Sequence, residues 1–217
     1  MEKKMRVFLA DDHAVVRDGL CYLLEAQGDI QVTGSAGDGR EAVHRILTLK
    51  PDIVIMDITM PGLNGIEAIQ QVREHLPTVN IRVLSMHSSA EHVFRAFKAG
   101  AKGYLLKESA GKELIDAVRT VCLGKRYISS KVAGIMANNF LQGSNQAASP
   151  IERLSMRERE VMQLIVEGKS CQDIGKTLNI SVKTVETYRS RLMQKLEISD
   201  IPSLVRIAIA NGFATLD

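Results

Sequence analysis

Cysteine is scarce in this chain: its 217 residues hold three, Cys21, Cys122 and Cys171. They are odd in number, far apart, and form neither a CxxC pair nor a zinc-binding spacing. That excludes a disulfide framework and a zinc knuckle, and the three read as reduced small hydrophobes of a cytoplasmic protein. Long hydrophobic runs are also absent. No apolar stretch approaches the roughly 20 residues that span a bilayer, so no membrane partner is expected. The opening MEKKMRVFLADD begins basic, but its apolar part is too short for a secretory signal and ends in acid. The histidines lack ligand spacing: His13, His44, His75 and His92 read as structural or solvated, and His87 as an exposed loop residue. With 45% hydrophobic and 24% charged residues, the composition fits a globular chain with length for two cores.

The net charge of +3 is unevenly spread. Residues 1–122 carry 15 Lys+Arg against 16 Asp+Glu, a net of −1. Residues 123–217 carry 13 against 9, a net of +4. A mildly basic C-terminal part permits nucleic-acid binding without proving it.

From Met5 to about Leu123 strand and helix signals alternate. Strands are predicted over Arg6–Ala10, Gln31–Ser35, Ile53–Met56, Arg82–Ser85 and Gly103–Leu106. Helices are predicted over Val15–Gln27, Arg40–Leu49, Gly65–His75, Glu91–Ala99 and Lys112–Leu123. Such alternation predicts an α/β fold, a parallel sheet covered on both faces, with the wholly apolar third strand at its centre. After a short further helical stretch within 124–141, residues 142–150 (QGSNQAASP) are small and polar and read as a flexible linker. The domains are thus 1–123, a linker over 124–150, and 151–217. The last part shows four helices and no strands: Met156–Glu167, Cys171–Leu178, Val182–Leu196 and Ile201–Asn211. Ser155, Ser170, Ser181 and either Ser199 or Asp200 stand as N-caps.

Four charged residues follow strand ends: Asp11 and Asp12 after the first, Asp57 after the third, Lys107 after the fifth. In a parallel sheet those positions converge on one crevice. Three carboxylates held together require a cation, and oxygen donors select a hard one, most simply Mg2+. A lysine beside them suggests that a phosphoryl group passes through the site.

DDH at 11–13, MDITMPGLNG at 56–65, LSMH at 84–87 and GYLLK at 103–107 together resemble a response-regulator receiver domain. That resemblance implies a doubly wound five-stranded sheet, flavodoxin-like, of order 2-1-3-4-5. It makes Asp57 the phosphoacceptor and assigns Mg2+ to Asp11, Asp12, Asp57 and the backbone carbonyl of Thr59. Lys107 would pair with a phosphoryl oxygen and Ser85 would hydrogen-bond it. Tyr104 would then turn inward to fill the space vacated by the Ser85 loop. The stretch LSMREREVMQLIVEGKSCQDIGKTLNISVKTVETYRSRLMQKLEI resembles the LuxR-type helix-turn-helix of NarL/FixJ response regulators.

In its third helix Val185, Leu192 and Leu196 recur at core spacing. The opposite face offers short polar groups bordered by cations, as a major-groove helix requires. Glu186, Thr187 and Ser190 are candidates for base contact. Lys183, Thr184, Tyr188, Arg189 and Lys195 are candidates for phosphate contact, and Arg191 is a further cation flanking the face. Leu204, Val205 and Ala208 of the last helix are candidate dimer contacts, for a homodimer spanning two half-sites of double-stranded DNA.

The implied partner is a sensor histidine kinase, and the implied function is a two-component regulator whose DNA binding follows Asp57 phosphorylation. The alternative is a phosphorylation-independent regulator whose receiver dimerises or senses a ligand. An enzymatic phosphohydrolase is not expected, because Thr59 stands where such enzymes place a second acid.

Overall fold

The computed structural model describes residues 4–122, 127–141 and 149–214. Five parallel strands form where periodicity predicts them: β1 (Met5–Ala10), β2 (Ile30–Ala36), β3 (Ile53–Met56), β4 (Asn80–Ser85) and β5 (Gly103–Leu106). They lie in the order 2-1-3-4-5. Between and after them run α1 (Ala14–Glu25), α2 (Gly39–Leu49), α3 (Gly65–His75), α4 (Ala90–Ala99) and α5 (Ala110–Cys122).

Alternate strand residues serve opposite faces. Phe8, Ala10, Val54, Met56, Tyr104 and Leu106 join α2, α3 and α4 in one core. Val7, Leu9, Ile53, Ile55 and Leu105 join α1 and α5 in the other. All four residues of β3 are buried, which is why it tolerates no polar position.

The sheet has one strand more than predicted. Tyr127–Ile128 forms β6, parallel to β5, pairing Tyr127 with Gly103 and Ile128 with Tyr104. The helix after it, α6 (Ser130–Leu141), sends Val132 into the core beneath α4. The stretch 124–150, read from sequence as linker, is therefore in part an extension of the first unit. Its polar segment 142–148 lies outside the described residues.

The C-terminal unit begins with a 3-10 turn at Pro150–Arg153, followed by α7 (Met156–Val166), α8 (Cys171–Leu178), α9 (Val182–Lys195) and α10 (Ile201–Ala210). Each start is capped as its sequence indicates. Ser155 and Glu158 form a reciprocal capping box. Ser170 accepts from Asp173 N, Ser181 from Thr184 N, and Asp200, rather than Ser199, from Ser203 N. Val161, Leu164, Ile174, Val185, Leu192, Leu204 and Ala208 make the core. Gly175, inside α8, faces the α8–α9 turn, where an added Cβ would meet Ile180 O at 2.9 Å. Among the described residues, no helix is long and apolar enough to cross a membrane.

Candidate functional site

Sheet register brings the predicted charged residues together. Ala10 pairs with Met56, Met56 with Val83, and Ser85 with Leu106. The next residues of β1, β3 and β5 are Asp11, Asp57 and Lys107, so three strand ends open on one crevice. Asp11 and Asp57 are buried. Lys107 Nζ lies 2.7 Å from Asp57 Oδ2 and 2.8 Å from Asp11 Oδ2. Asp57 Oδ1 also accepts from Ile58 N at 2.7 Å.

Burial pushes the Asp57 carboxyl up to about 6, and neighbouring Asp11 adds to this while Lys107 opposes it. Burial alone would lower Lys107, but the carboxylates of Asp57 and Asp11 outweigh it and hold the ammonium above its ordinary value. Asp12 is half-buried, and its Oδ1 lies 2.6 Å from His13 Nδ1. Ligand atoms of Asp11, Asp12, His13 and Asp57 all fall within 4.8 Å of one another. Three carboxylates at that spacing suit a hard divalent cation, whose charge would relieve the repulsion that burial aggravates.

Ser85 is fully buried, and its Oγ accepts from His87 N at 3.2 Å. Tyr104 differs from its expectation in one respect. Its ring is already inward and fully buried, and its hydroxyl donates to His87 O at 2.6 Å. The inward position is supported by core packing around β5 and needs no further trigger. Burial raises the phenol to beyond its ordinary range, so it remains a donor.

His87 departs from its reading as an exposed loop residue, and His92 takes the structural of its two alternatives. The two rings stack with centroids 4.4 Å apart, and His87 Nε2 lies 2.9 Å from Thr59 Oγ1. Burial lowers both imidazoles, His92 to about 4, with His87 and Arg95 adding to its shift.

These histidines border a contact between the two units that no sequence signal indicated. Gln163 of α7 reaches Asn64 N and Met60 O. The carbonyl of Gly212 accepts from Asn64 Nδ2 at 2.5 Å and from Thr59 Oγ1 at 3.2 Å. Arg159 Nε lies 2.9 Å from Glu67 Oε1 and Arg95 Nη2 3.9 Å from it. Burial raises the Glu67 carboxyl even so. Arg95 also covers the Phe213 ring at 5.4 Å and donates to Asn211 O at 3.2 Å. The end of α10 is thus clamped on α3, α4 and the loop after β3.

That docking leaves the polar face of α9 open. Lys183, Glu186, Thr187, Arg189, Ser190 and Arg191 are exposed, while Thr184 and Tyr188 are half-buried. Val185 and Leu192 are fully buried and Leu196 nearly so, as their spacing predicted. Lys195 is less free than its neighbours, since its Nζ lies 2.7 Å from Glu158 Oε2, the carboxylate that completes the α7 capping box. Two of the three predicted dimer residues are corrected. Leu204 and Ala208 are fully buried in their own domain's core, because α10 closes that core with its i, i+4 face. Val205, on another side of α10, keeps partial exposure.

An acid-and-lysine crevice on a doubly wound sheet, joined to a four-helix unit with an open basic helix, defines a phosphorylation-controlled DNA-binding regulator rather than an enzyme. The chain belongs to the response regulators with a LuxR-type C-terminal domain. Residues 7–119 match the response regulator receiver domain, and residues 152–208 match the bacterial regulatory proteins of the luxR family. Among curated relatives, the oxygen regulatory protein NreC of Staphylococcus carnosus is 40% identical over 210 residues, covering 94% of this chain and 97% of NreC. The NreC of Staphylococcus epidermidis is 39% identical over 211 residues, with the same coverage. Among solved structures, the Salmonella typhimurium response regulator RcsB is 26% identical with a TM-score of 0.62, covering 96% of this chain and 100% of that one. A LuxR-family two-component response regulator from Aurantimonas is 35% identical with a TM-score of 0.62, covering 64% of this chain and 99% of that one.

Proposed function

We propose that Asp57 is the phosphoacceptor, loaded from the phosphohistidine of a sensor histidine kinase or from acetyl phosphate. The observation that carries this reading is the bridge of Lys107 Nζ between Asp57 Oδ2 and Asp11 Oδ2 beside Asp12. A carboxylate oxygen of Asp57 attacks phosphorus, and the bond from phosphorus to the donor's nitrogen or oxygen breaks. Asp11, Asp12, Asp57 and the Thr59 carbonyl would hold Mg2+, which when bound offsets the charge on the transferring oxygens. Lys107 is placed to turn from the carboxylates to a phosphoryl oxygen. Ser85, at the end of β4, supplies the hydroxyl that would bond the same group, with the His87 backbone responding because both Ser85 and Tyr104 bond to it. The receiver unit runs through α6, and the DNA-binding domain starts at the 3-10 turn.

The exposed face of α9 reads DNA, with Glu186, Thr187 and Ser190 at base edges. Lys183, Thr184, Tyr188, Arg189 and Lys195 meet phosphates, and Arg191 flanks the same face. Solved RcsB is known as dimers bound to DNA, and the same assembly is proposed here, with Val205 of α10 at the contact. A cytoplasmic location fits a protein that meets both a kinase and DNA.

The test is capture of genomic DNA fragments by the purified protein, with and without Mg2+ and acetyl phosphate. Enrichment at paired half-sites that sharpens with the donor supports the switch. Equal enrichment without it means that the receiver is controlled some other way. Two substitutions separate DNA contact from architecture. Arg189→Ala weakens binding with an unchanged melting temperature, because its side chain is exposed and loss of one phosphate contact lowers the salt slope by about 1. Lys195→Ala also lowers stability, by about 1–2 kcal/mol, since Glu158 is left nearly buried without its cation. Fluorescence anisotropy across a salt series and thermal melts read both.

A further inference from the structure

The segment after Asp57 is held by side chains of the other domain. Gln163 lies mid-way along α7 and is 1% exposed. Its Oε1 accepts from Asn64 N at 2.6 Å, and its Nε2 donates to Met60 O at 2.8 Å. Nε2 also donates to Glu167 Oε1 at 2.9 Å, and that same oxygen accepts from Gly62 N at 2.9 Å. Thr59 and Asn64 bond the Gly212 carbonyl from the other side. Residues 59–64 are therefore gripped between α7 and the end of α10.

A carboxamide suits the position of Gln163 because it must accept from one backbone group and donate to another at once. A carboxylate would lack the donor, and an aliphatic chain would leave a buried amide and a buried carbonyl unpaired. The gripped segment begins two residues after the proposed acceptor, at the residue whose carbonyl is proposed to hold the cation. Any shift of this loop when a phosphoryl group arrives must work against α7.

We propose that Gln163, in the DNA-binding domain, is a positioning residue for the phosphoryl site, so that docking of that domain sets the receiver's affinity for its phosphoryl group. The inference rests on the reading of Asp57 as acceptor and deepens it. Coupling between sites is reciprocal. If phosphorylation loosens the docked domain, the docked domain must weaken phosphoryl binding by the same factor. Loosening the grip by mutation then tightens the site.

The experiment uses full-length protein and beryllofluoride with Mg2+ as the phosphoryl analogue. Its apparent affinity is measured for the wild type, Gln163→Ala and Glu167→Ala. Small-angle scattering reports docking, and circular dichroism the fold. Glu167 sits at the half-buried end of α7, so its substitution keeps the test alive if Gln163→Ala fails to fold. The expected result is an affinity about fivefold tighter or more for Gln163→Ala, a smaller gain for Glu167→Ala, and a larger radius of gyration for both. Affinities within twofold of the wild type in the folded variants overturn the proposal, whatever the scattering shows. A wild type that binds no beryllofluoride and takes no phosphate from acetyl phosphate overturns instead the reading of Asp57.

Discussion

Asp57→Asn takes up no phosphate from acetyl phosphate in Mg2+, and its DNA affinity is the same with and without the donor. A carboxamide is no nucleophile toward phosphorus, so the proposed acceptor is lost. Phosphate-affinity gels and anisotropy on a captured half-site pair read the two effects. A second, subtler effect follows from burial. The Asp57 carboxyl is raised from an ordinary 3.8 to about 6, chiefly by desolvation. The sign is that of a raised acid: the stability gained by keeping the proton is complete below about pH 3.8 and is lost as pH rises through about 6. At pH 7.5 without divalent cation the wild type therefore carries a costly buried charge, which asparagine removes. Urea unfolding should show the variant more stable by about 1–2 kcal/mol at pH 7.5, the gain shrinking as pH falls through 6. Mg2+ reverses the order, because only the wild type keeps all three carboxylates to bind it. A gain constant from pH 4.5 to 7.5 would rule out burial as its cause.

The crevice was legible because its residues follow strand ends, and short continuous apolar runs bounded by charge announce buried strands. The four C-terminal helices were legible for a similar reason: Ser155, Ser170 and Ser181 cap them locally, within three residues of their partners. What escaped depends on residues far apart in sequence. β6 is two residues long and gains its place from pairing with β5, too short for any periodic signature. Gln163 carries no local signal in the sequence, because its partners lie about 100 positions away. His92, structural or solvated by sequence, is settled as structural by the packing of α4 against the Gly212 turn, where a Cβ on Gly212 would lie 3.1 Å from its Nε2. The helical spacing of Leu204 and Ala208 was visible in sequence. Their burial within their own domain, rather than in a dimer, depends on which side of α10 meets α7, and periodicity alone leaves that choice open.

Gly65→Ala is expected to damage the receiver severely, because the added methyl group meets the main chain of the phosphoacceptor itself. Gly65 opens α3 and lies directly behind the phosphoacceptor. Its N donates to Ile58 O at 2.7 Å, and Asn64 caps the helix by accepting from Ile66 N. A Cβ placed on Gly65 would stand 1.8 Å from Asp57 O, 2.8 Å from Asp57 C and 3.0 Å from Ile58 Cα. All three are backbone atoms, so no rotamer change relieves the overlap. Either α3 backs away from β3 and breaks the Gly65–Ile58 bond, or the main chain of Asp57 moves and carries its carboxylate from Lys107. Overpacking against mobile side chains costs about 1–3 kcal/mol; against fixed main chain about 3 kcal/mol or more is expected. For a domain of this size that lowers the melting temperature by on the order of 10 °C. The residual folded protein should also bind Mg2+ and beryllofluoride at least tenfold more weakly, since the displaced carboxylate belongs to the cation site. Gly111→Ala in α5 is the matched control. A Cβ there meets nothing within 4 Å, and alanine within a helix is favoured over glycine by about 1 kcal/mol, so its melting temperature should hold or rise. If Gly65→Ala melts with Gly111→Ala and keeps its cation affinity, α3 is not seated against Asp57 as described, and the loop that Gln163 grips is not fixed from behind.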